Sequence, residues 1–389
     1  MRRRTLILDT FRLFFLIACI PFLAGCQPPS EGPSDDVPAP GGDRAEASAD
    51  EESAMAPQAT EEETAAPGAG DDGAAGESTA MPEIPLGLKP FDVPADNPIT
   101  EEKIALGKML YFDTRLSEDN SISCATCHDP KMAWTEHRAT SEGIHKQIGP
   151  RNSPTIINSA YATSQFWDGR SATLEEQASG PMENPIEMGM TLADVVERLS
   201  QVPGYVEAFQ KVYGTGVTMD GIVKAIATFE RTVLSGNSRY DRFVNGEDDA
   251  LTEQEQRGLE LFDANCDTCH AAPVFSRFQF INAGIGSDKA EPDKGRMEVT
   301  GNEADMGKFR VPHLRDIEKT YPYFHDGSVE SLEEAVAIMA DGGIDNPNLS
   351  PRMKNVRNAN LSEQDRADLV AFLKTLNGDF PVIEPPELP

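Results

Sequence analysis

Two short stretches of this 389-residue chain concentrate residues that can do chemistry: Cys124-Ala-Thr-Cys127-His128 and Cys266-Asp-Thr-Cys269-His270. Two thiols with two residues between them, followed directly by an imidazole, form the attachment pattern of c-type haem. The thiols add across the haem vinyl groups, and the adjacent His is held where its ring can ligate iron from one side. Two disulfides would be the default for four Cys in an exported chain, but a disulfide does not need a His after each pair. A zinc site built from both pairs is disfavoured by the 138 residues between them. Thioredoxin-like redox chemistry expects one such pair after a strand, not two in helix-rich surroundings. The pattern occurs twice and uses every Cys beyond the first 26 residues, which predicts two covalently bound haems.

A second axial ligand for such irons comes mainly from His or Met. His137, His145, His313 and His325 remain after His128 and His270, together with several Met, and sequence physics alone does not choose among them. The deciding question for function is whether one iron keeps an open or labile sixth position beside a proton-handling group. An electron carrier has no such position; an enzyme needs one.

The elements around the motifs are helical. Thr100 with Glu101 and Glu102 opens an apolar stripe of Ile104, Leu106, Met109, Leu110 and Phe112. Thr252-Glu253-Gln254-Glu255 reads as a capping box leading into Leu259, Leu261 and Phe262. Gly107-Lys-Met-Leu-Tyr-Phe and Gly258-Leu-Glu-Leu-Phe look like one element used twice. Ser362 caps a closing helix that carries Leu369, Val370, Phe372, Leu373 and Leu376. Stretches 192–199 and 222–234 also read as helices, and strand signals are scarce. The expected fold is all-α, two cytochrome c-type haem domains in tandem, at 85–245 and 246–389, preceded by a disordered tether.

Charge is unevenly spread. The chain holds 34 Lys and Arg against 65 Asp and Glu, a net charge of −31. That excess of acid argues against nucleic-acid binding, which needs surplus cation to neutralise phosphate. Residues 1–26 carry Arg2, Arg3 and Arg4 before an apolar run too short to span a bilayer, which reads as an export signal. Its end, Leu23-Ala24-Gly25-Cys26, resembles a bacterial lipobox, which implies lipidation at Cys26 and a periplasmic, membrane-anchored protein; a soluble secretory signal is the alternative. Residues 27–84 hold 15 acids and one base with few large aliphatics, the composition of a disordered acidic linker. The remaining 305 residues are still acidic, which favours a basic macromolecular partner.

From Ser123 onward the chain resembles the bacterial dihaem cytochrome c peroxidases, over roughly residues 85–380. The resemblance rests on the motifs Ser-Cys-Ala-Thr-Cys-His-Asp-Pro (123–130), Gly-Pro-Arg-Asn-Ser-Pro-Thr (149–155) and Phe-Trp-Asp-Gly-Arg (166–170). Asn-Pro-Ile-Glu-Met (184–188), Asp-Lys-Gly-Arg (293–296) and Tyr-Pro-Tyr-Phe-His-Asp-Gly (321–327) complete the set. It implies reduction of hydrogen peroxide to water with electrons from a small cytochrome c or copper protein. The haem on His128 would be the low-potential peroxidatic one. The haem on His270 would be the high-potential one that receives the donor's electrons, with Met339 as its sixth ligand. Taken alone, Met339 reads as helix core beside Leu332, Ala335 and Val336.

The resemblance further implies that Glu187 is the acid–base residue at the peroxidatic iron, a role that a carboxyl with a burial-raised pKa can fill. As a bare sequence feature it reads as a surface Glu in a Pro-containing loop. Trp167 matches the aromatic between the haems, with core filling as its plainer role, and Gln177 supports the pocket. Asn152 with the carbonyls of Thr320 and Pro322 matches an inter-domain calcium site, and oxygen donors suit that ion. Homodimers are usual in the family. One departure stands out. Several members rest with a loop His on the peroxidatic iron, and here Ile144 occupies that position while His145 follows it. A shift of register would let His145 ligate; otherwise the iron stays open, which is the favoured reading. His137 is expected to be exposed. A related class that oxidises a protein side chain in quinone-cofactor maturation carries Tyr where Met339 stands, so Met339 counts against it.

Overall fold

The structure, a computed structural model, describes residues 80–389. The segments expected to be an export signal, a lipobox and nearly all of a tether fall outside the described residues; 80–84 form coil, pinned by the Ala80 N–H to the Ile99 carbonyl. Among the described residues no helix is long and apolar enough to cross a membrane.

Two helical lobes are built on one plan. In the first lobe, α1 (Glu101–Phe112) leads to the one-turn helix α2 (Cys124–Cys127), and α3 (Leu174–Glu183), α4 (Leu192–Ser200), α5 (Pro203–Tyr213) and α6 (Met219–Glu230) follow. A short α7 (Arg239–Val244) joins it to the second lobe. There α8 (Glu253–Asn265), α9 (Arg296–Thr300), α10 (Leu332–Ala340), α11 (Pro351–Asn358) and α12 (Glu363–Lys374) surround the second motif. The only named strands among the described residues are β1 (Phe280–Ile281) and β2 (Phe309–Arg310), which pair antiparallel.

Helix starts follow the local chemistry. The Thr100 hydroxyl accepts from the Lys103 N–H, and Thr252 with Glu255 and Ser362 with Asp365 close reciprocal capping boxes. The helix expected at 222–234 starts earlier and stops at Glu230. Thr232 turns its hydroxyl onto the Phe229 carbonyl, and the Val233 carbonyl is taken by the Asn158 N–H, so the β-branched pair leaves the helix for a loop contact.

The internal repeat runs deeper than the shared motif. Gly107 on α1 lies against the Ala225 carbonyl of α6, and Gly258 on α8 lies against the Asp368 carbonyl of α12, so one helix crossing is used twice. A Cβ at either Gly would collide with backbone, which is why no side chain stands there. Around the first crossing the rings of Tyr111, Trp134 and Phe229 meet with centroids 5.7, 5.1 and 6.0 Å apart. Around the second, Phe262, Phe275 and Phe372 meet at 5.7, 5.1 and 6.2 Å. Each trio forms the aromatic centre of its lobe's apolar core.

The lobes exchange segments. Phe380 and Ile383, beyond α12, pack on the first core, the Trp134 indole N–H donates to the Pro381 carbonyl (3.0 Å) and Arg115 reaches the Pro389 carbonyl (2.9 Å). The Arg315 guanidinium is fully buried and grips Asp241 of α7 through two 2.8 Å hydrogen bonds.

One buried carboxyl has no such partner. Glu230 ends α6 inside the first lobe, and its Oε2 makes no hydrogen bond. Neighbouring Arg231 is engaged by Glu175 at 2.7 and 3.0 Å. Burial pushes the Glu230 pKa up to about 8.

Two stability measurements test this account. Gly258→Ala is expected to cost about 1–3 kcal/mol by overpacking the crossing. Gly216→Ala, where nothing lies within 4 Å, should stay within about 0.5 kcal/mol; equal losses in thermal unfolding would contradict the crossing. For Glu230, the fold favours the protonated form, so its contribution is whole below the ordinary carboxyl pKa and is lost as pH rises through about 8. Between about pH 5 and about pH 9 the melting temperature of the wild type should therefore fall further than that of Glu230→Gln. Parallel curves would remove that role.

Candidate functional site

Each Cys-x-x-Cys-His motif opens onto its own cavity. The first, of about 1090 Å³, is lined by Cys124, Cys127 and His128 on one side and by Gln177, Asn184, Ile186 and Glu187 on another. The second is narrower, about 230 Å³, and largely apolar; Cys266, Cys269 and His270 line it together with Met339 of α10. No disulfide joins the four thiols, and burial raises the pKa of Cys124, Cys127 and Cys266. Both imidazoles are partly buried and neutral, with desolvation lowering their pKa values to about 4. His270 Nδ1 lies 3.0 Å from the Phe275 carbonyl, which orients the ring and leaves Nε2 for a ligand role. His128 Nδ1 lies beside the Trp134 and Pro154 backbone but completes no hydrogen bond.

This donor set fits haem c. Paired thiols, a neutral imidazole beside each pair and a cavity at each motif are what covalent attachment and axial ligation require. Met339 on the wall of the second cavity adds a thioether there, whereas the first cavity is lined by Met188 and Met306 together with the carboxyl of Glu187.

Glu187 sits in the loop after α3. Asn184 Nδ2 donates to its Oε1 at 2.9 Å, and its backbone carbonyl accepts from the Ile144 N–H at 2.8 Å. Burial holds its pKa above the usual carboxylate range, against the opposing pull of Arg170 and Asn184. Gln177 lines the same cavity from α3. The neighbouring loop places Ile144 inward and fully buried. His145 turns outward instead, more than half exposed, with its ring nitrogens 3.3 Å from Glu118 and 3.7 Å from Asp119. His137 was expected to be exposed; it is half-buried, stacked on Tyr321 at 4.2 Å and bonded to the Lys319 carbonyl at 3.0 Å. The preceding turn carries it under the second lobe, out of solvent and away from both cavities.

Trp167, Arg310 and His325 line both cavities, so they form the wall between them. Trp167 is fixed at both ends: its indole N–H donates to the Asn152 carbonyl (2.9 Å), and its own carbonyl accepts from the Arg310 N–H (2.7 Å). The ring of His325 stacks on Phe309 at 3.6 Å. Trp167 and His325 occupy matching places in one repeated turn. Phe166-Trp-Asp-Gly is closed by the Gln165–Ser171 bridge, and Phe324-His-Asp-Gly by the Tyr323–Val329 bridge. In both, Phe and Gly take positive φ and the Asp carboxylate accepts from the backbone two residues on. The signal for this pair, Phe-x-Asp-Gly used twice, is present in the sequence and was not used. Glu230 was also missed, because a Glu at the end of an amphipathic helix looks like a surface residue.

Asn152 is brought near the expected calcium ligands by the 137–138 segment: its Nδ2 donates to the Arg138 carbonyl (2.8 Å), while His137 holds the 319–321 turn. The carbonyls of Thr320 and Pro322 accept no backbone hydrogen bond among the described residues, which leaves them free for a hard cation. No cluster of three or more His, Cys, Asp or Glu side chains that could hold a metal ion occurs among the described residues.

Comparison with known proteins agrees with this architecture. A family model described as di-haem cytochrome c peroxidase matches residues 101–249, and one for cytochrome c matches 255–377. The cytochrome c551 peroxidase of Nitrosomonas europaea is 42% identical over 301 residues, covering 76% of this chain and 86% of its own. The methylamine utilization protein MauG of Methylorubrum extorquens is 39% identical, covering 76% of this chain and 84% of its own. Among solved structures, a MauG-like protein associated with microbial copper homeostasis is 36% identical with a TM-score of 0.66, covering 76% of this chain and 95% of that one. With this identity and coverage behind two matching lobes, the chain belongs to the di-haem cytochrome c peroxidase family.

Proposed function

We propose that this protein reduces hydrogen peroxide to two molecules of water, taking two electrons one at a time from a small redox protein and two protons from its surroundings. The observation that carries the reading is Glu187, a partly buried carboxyl with a raised pKa held by Asn184 in the cavity that contains Cys124, Cys127 and His128. Haem attached at the two motifs would supply an iron that binds peroxide in the first cavity and an electron store in the second.

The rest falls to the chain's own groups. Cys124 and Cys127 would hold the first haem and His128 would ligate its iron; Cys266, Cys269, His270 and Met339 would do so in the second cavity. Asn184 occupies Glu187 Oε1 and leaves Oε2 to take a proton from the peroxide oxygen and return it to the oxygen that leaves as water. Gln177 supports this pocket from α3. Ile144 fills the inward position of the adjoining loop while His145 is engaged by Glu118 and Asp119, which supports a first iron open to peroxide without prior reduction. Trp167, common to both cavities, would carry electrons across the wall. Asn152 Oδ1 with the Thr320 and Pro322 carbonyls would hold calcium beside that wall. Met339 on the second cavity speaks for peroxide reduction over side-chain oxidation. The acidic charge favours a donor that is basic where it docks, and the sequence before residue 80 supports export and a lipid anchor at Cys26. A homodimer accords with the family resemblance.

The test is steady-state peroxide consumption with a small cytochrome c as donor, in the presence of calcium, before and after prereduction. Wild type should turn over in both states, and Glu187→Gln should lose roughly 10²–10⁴-fold with both haems still attached. No turnover in either state, or full activity in Glu187→Gln, would refute the reading.

A further inference from the structure

One end of the first cavity holds polar groups that the chain leaves without partners. Both ring nitrogens of His313 are buried and neither makes a hydrogen bond, although the Ile157 backbone approaches the ring. The Ser159 hydroxyl is likewise buried and unpartnered. Arg310 lies close enough to His313 to repel its charged form, and its only hydrogen bond from the guanidinium is to the Phe166 carbonyl at 3.3 Å. No carboxylate pairs with Arg310 among the described residues. All three residues line the first cavity.

An unmet buried donor costs about 1–3 kcal/mol, so the two unmet groups, with the guanidinium of Arg310 lacking a carboxylate on the same cavity, point to an acceptor supplied from outside the chain. His313 also stands apart from its neighbours. Pro312 and Leu314 line the second cavity, whereas the His313 side chain between them crosses the wall into the first. Burial and the nearby Arg310 and Arg315 keep its imidazole neutral, with a pKa near 3, so it carries one N–H to donate. A haem seated on Cys124 and Cys127 brings two propionate groups, and an ionised carboxylate is an acceptor of matching charge for Arg310 and matching hydrogen-bonding capacity for all three residues.

We propose that His313, with Ser159 and Arg310 beside it, is a positioning residue by which the second lobe donates a hydrogen bond to a propionate of the haem in the first cavity. The inference rests on the two-haem reading above. Withdrawing negative charge from the edge of that haem raises its reduction potential, and the residue responsible comes from the lobe that holds the other haem.

The measurement is spectroelectrochemical titration of the purified dihaem protein, wild type, His313→Leu and His313→Gln, with covalent haem counted first by pyridine haemochrome. We expect His313→Leu to lower the potential of the first haem and leave the second unmoved, and His313→Gln, which keeps an N–H donor, to restore most of the shift. Redox-difference infrared spectra should show the propionate bands displaced in His313→Leu alone. Unaltered potentials and bands in both variants, with two haems attached, would overturn the proposal. Loss of the first haem in His313→Leu but not in His313→Gln would support it, and a wild type without covalent haem would refute the two-haem reading instead.

Discussion

The wall between the two cavities is the constraint on which the remaining structure depends. It is built from one segment, 309–314, in which Phe309, Val311, Pro312 and Leu314 line the second cavity, His313 the first and Arg310 both, and from two copies of a tight turn that deliver Trp167 and His325. The 2.7 Å hydrogen bond from the Arg310 N–H to the Trp167 carbonyl ties a strand of the second lobe to a turn of the first. The β1–β2 pair is two residues long, so its register is secured less by its own ladder than by this bond and by Arg296, whose guanidinium donates to the Asp168 and Gly169 carbonyls and stacks on Phe280.

Duplication explains how such a wall arises. Each lobe repeats a Gly-centred helix crossing, an aromatic trio and a Cys-x-x-Cys-His turn, and each is complete enough to hold a prosthetic group. What differs is the opposite face of each cavity. The second receives Met339 from α10; the first receives Glu187 from the loop after α3. A thioether ligand closes an iron and raises its potential, whereas a carboxyl with a burial-raised pKa beside an open position handles protons. Two similar lobes thereby gain unlike chemistry.

Much of this was legible in the sequence because it is local. The haem motifs, the capping residues Thr100, Thr252 and Ser362, and the apolar stripes of α1, α8 and α12 are all set within a few turns of chain. The resemblance supplied what spacing could not, placing Trp167, Glu187 and Met339, and each of them does line a cavity. The residues missed depend on distant partners. His137 is sheltered by Tyr321, nearly two hundred residues away, and the segment beyond α12 belongs to the core of the first lobe. Glu230 Oε2 and the His313 ring nitrogens make no hydrogen bond within the described residues, so no pairing rule could have singled them out.

The most direct measurement of the account is transfer between the two centres. The dihaem protein is prepared with only the second haem reduced, mixed rapidly with peroxide, and oxidation of that haem is followed in the wild type and in Trp167→Ala. The account predicts slower oxidation in the variant with unchanged haem content and unchanged peroxide binding at the first cavity. Equal rates in the two proteins would contradict it.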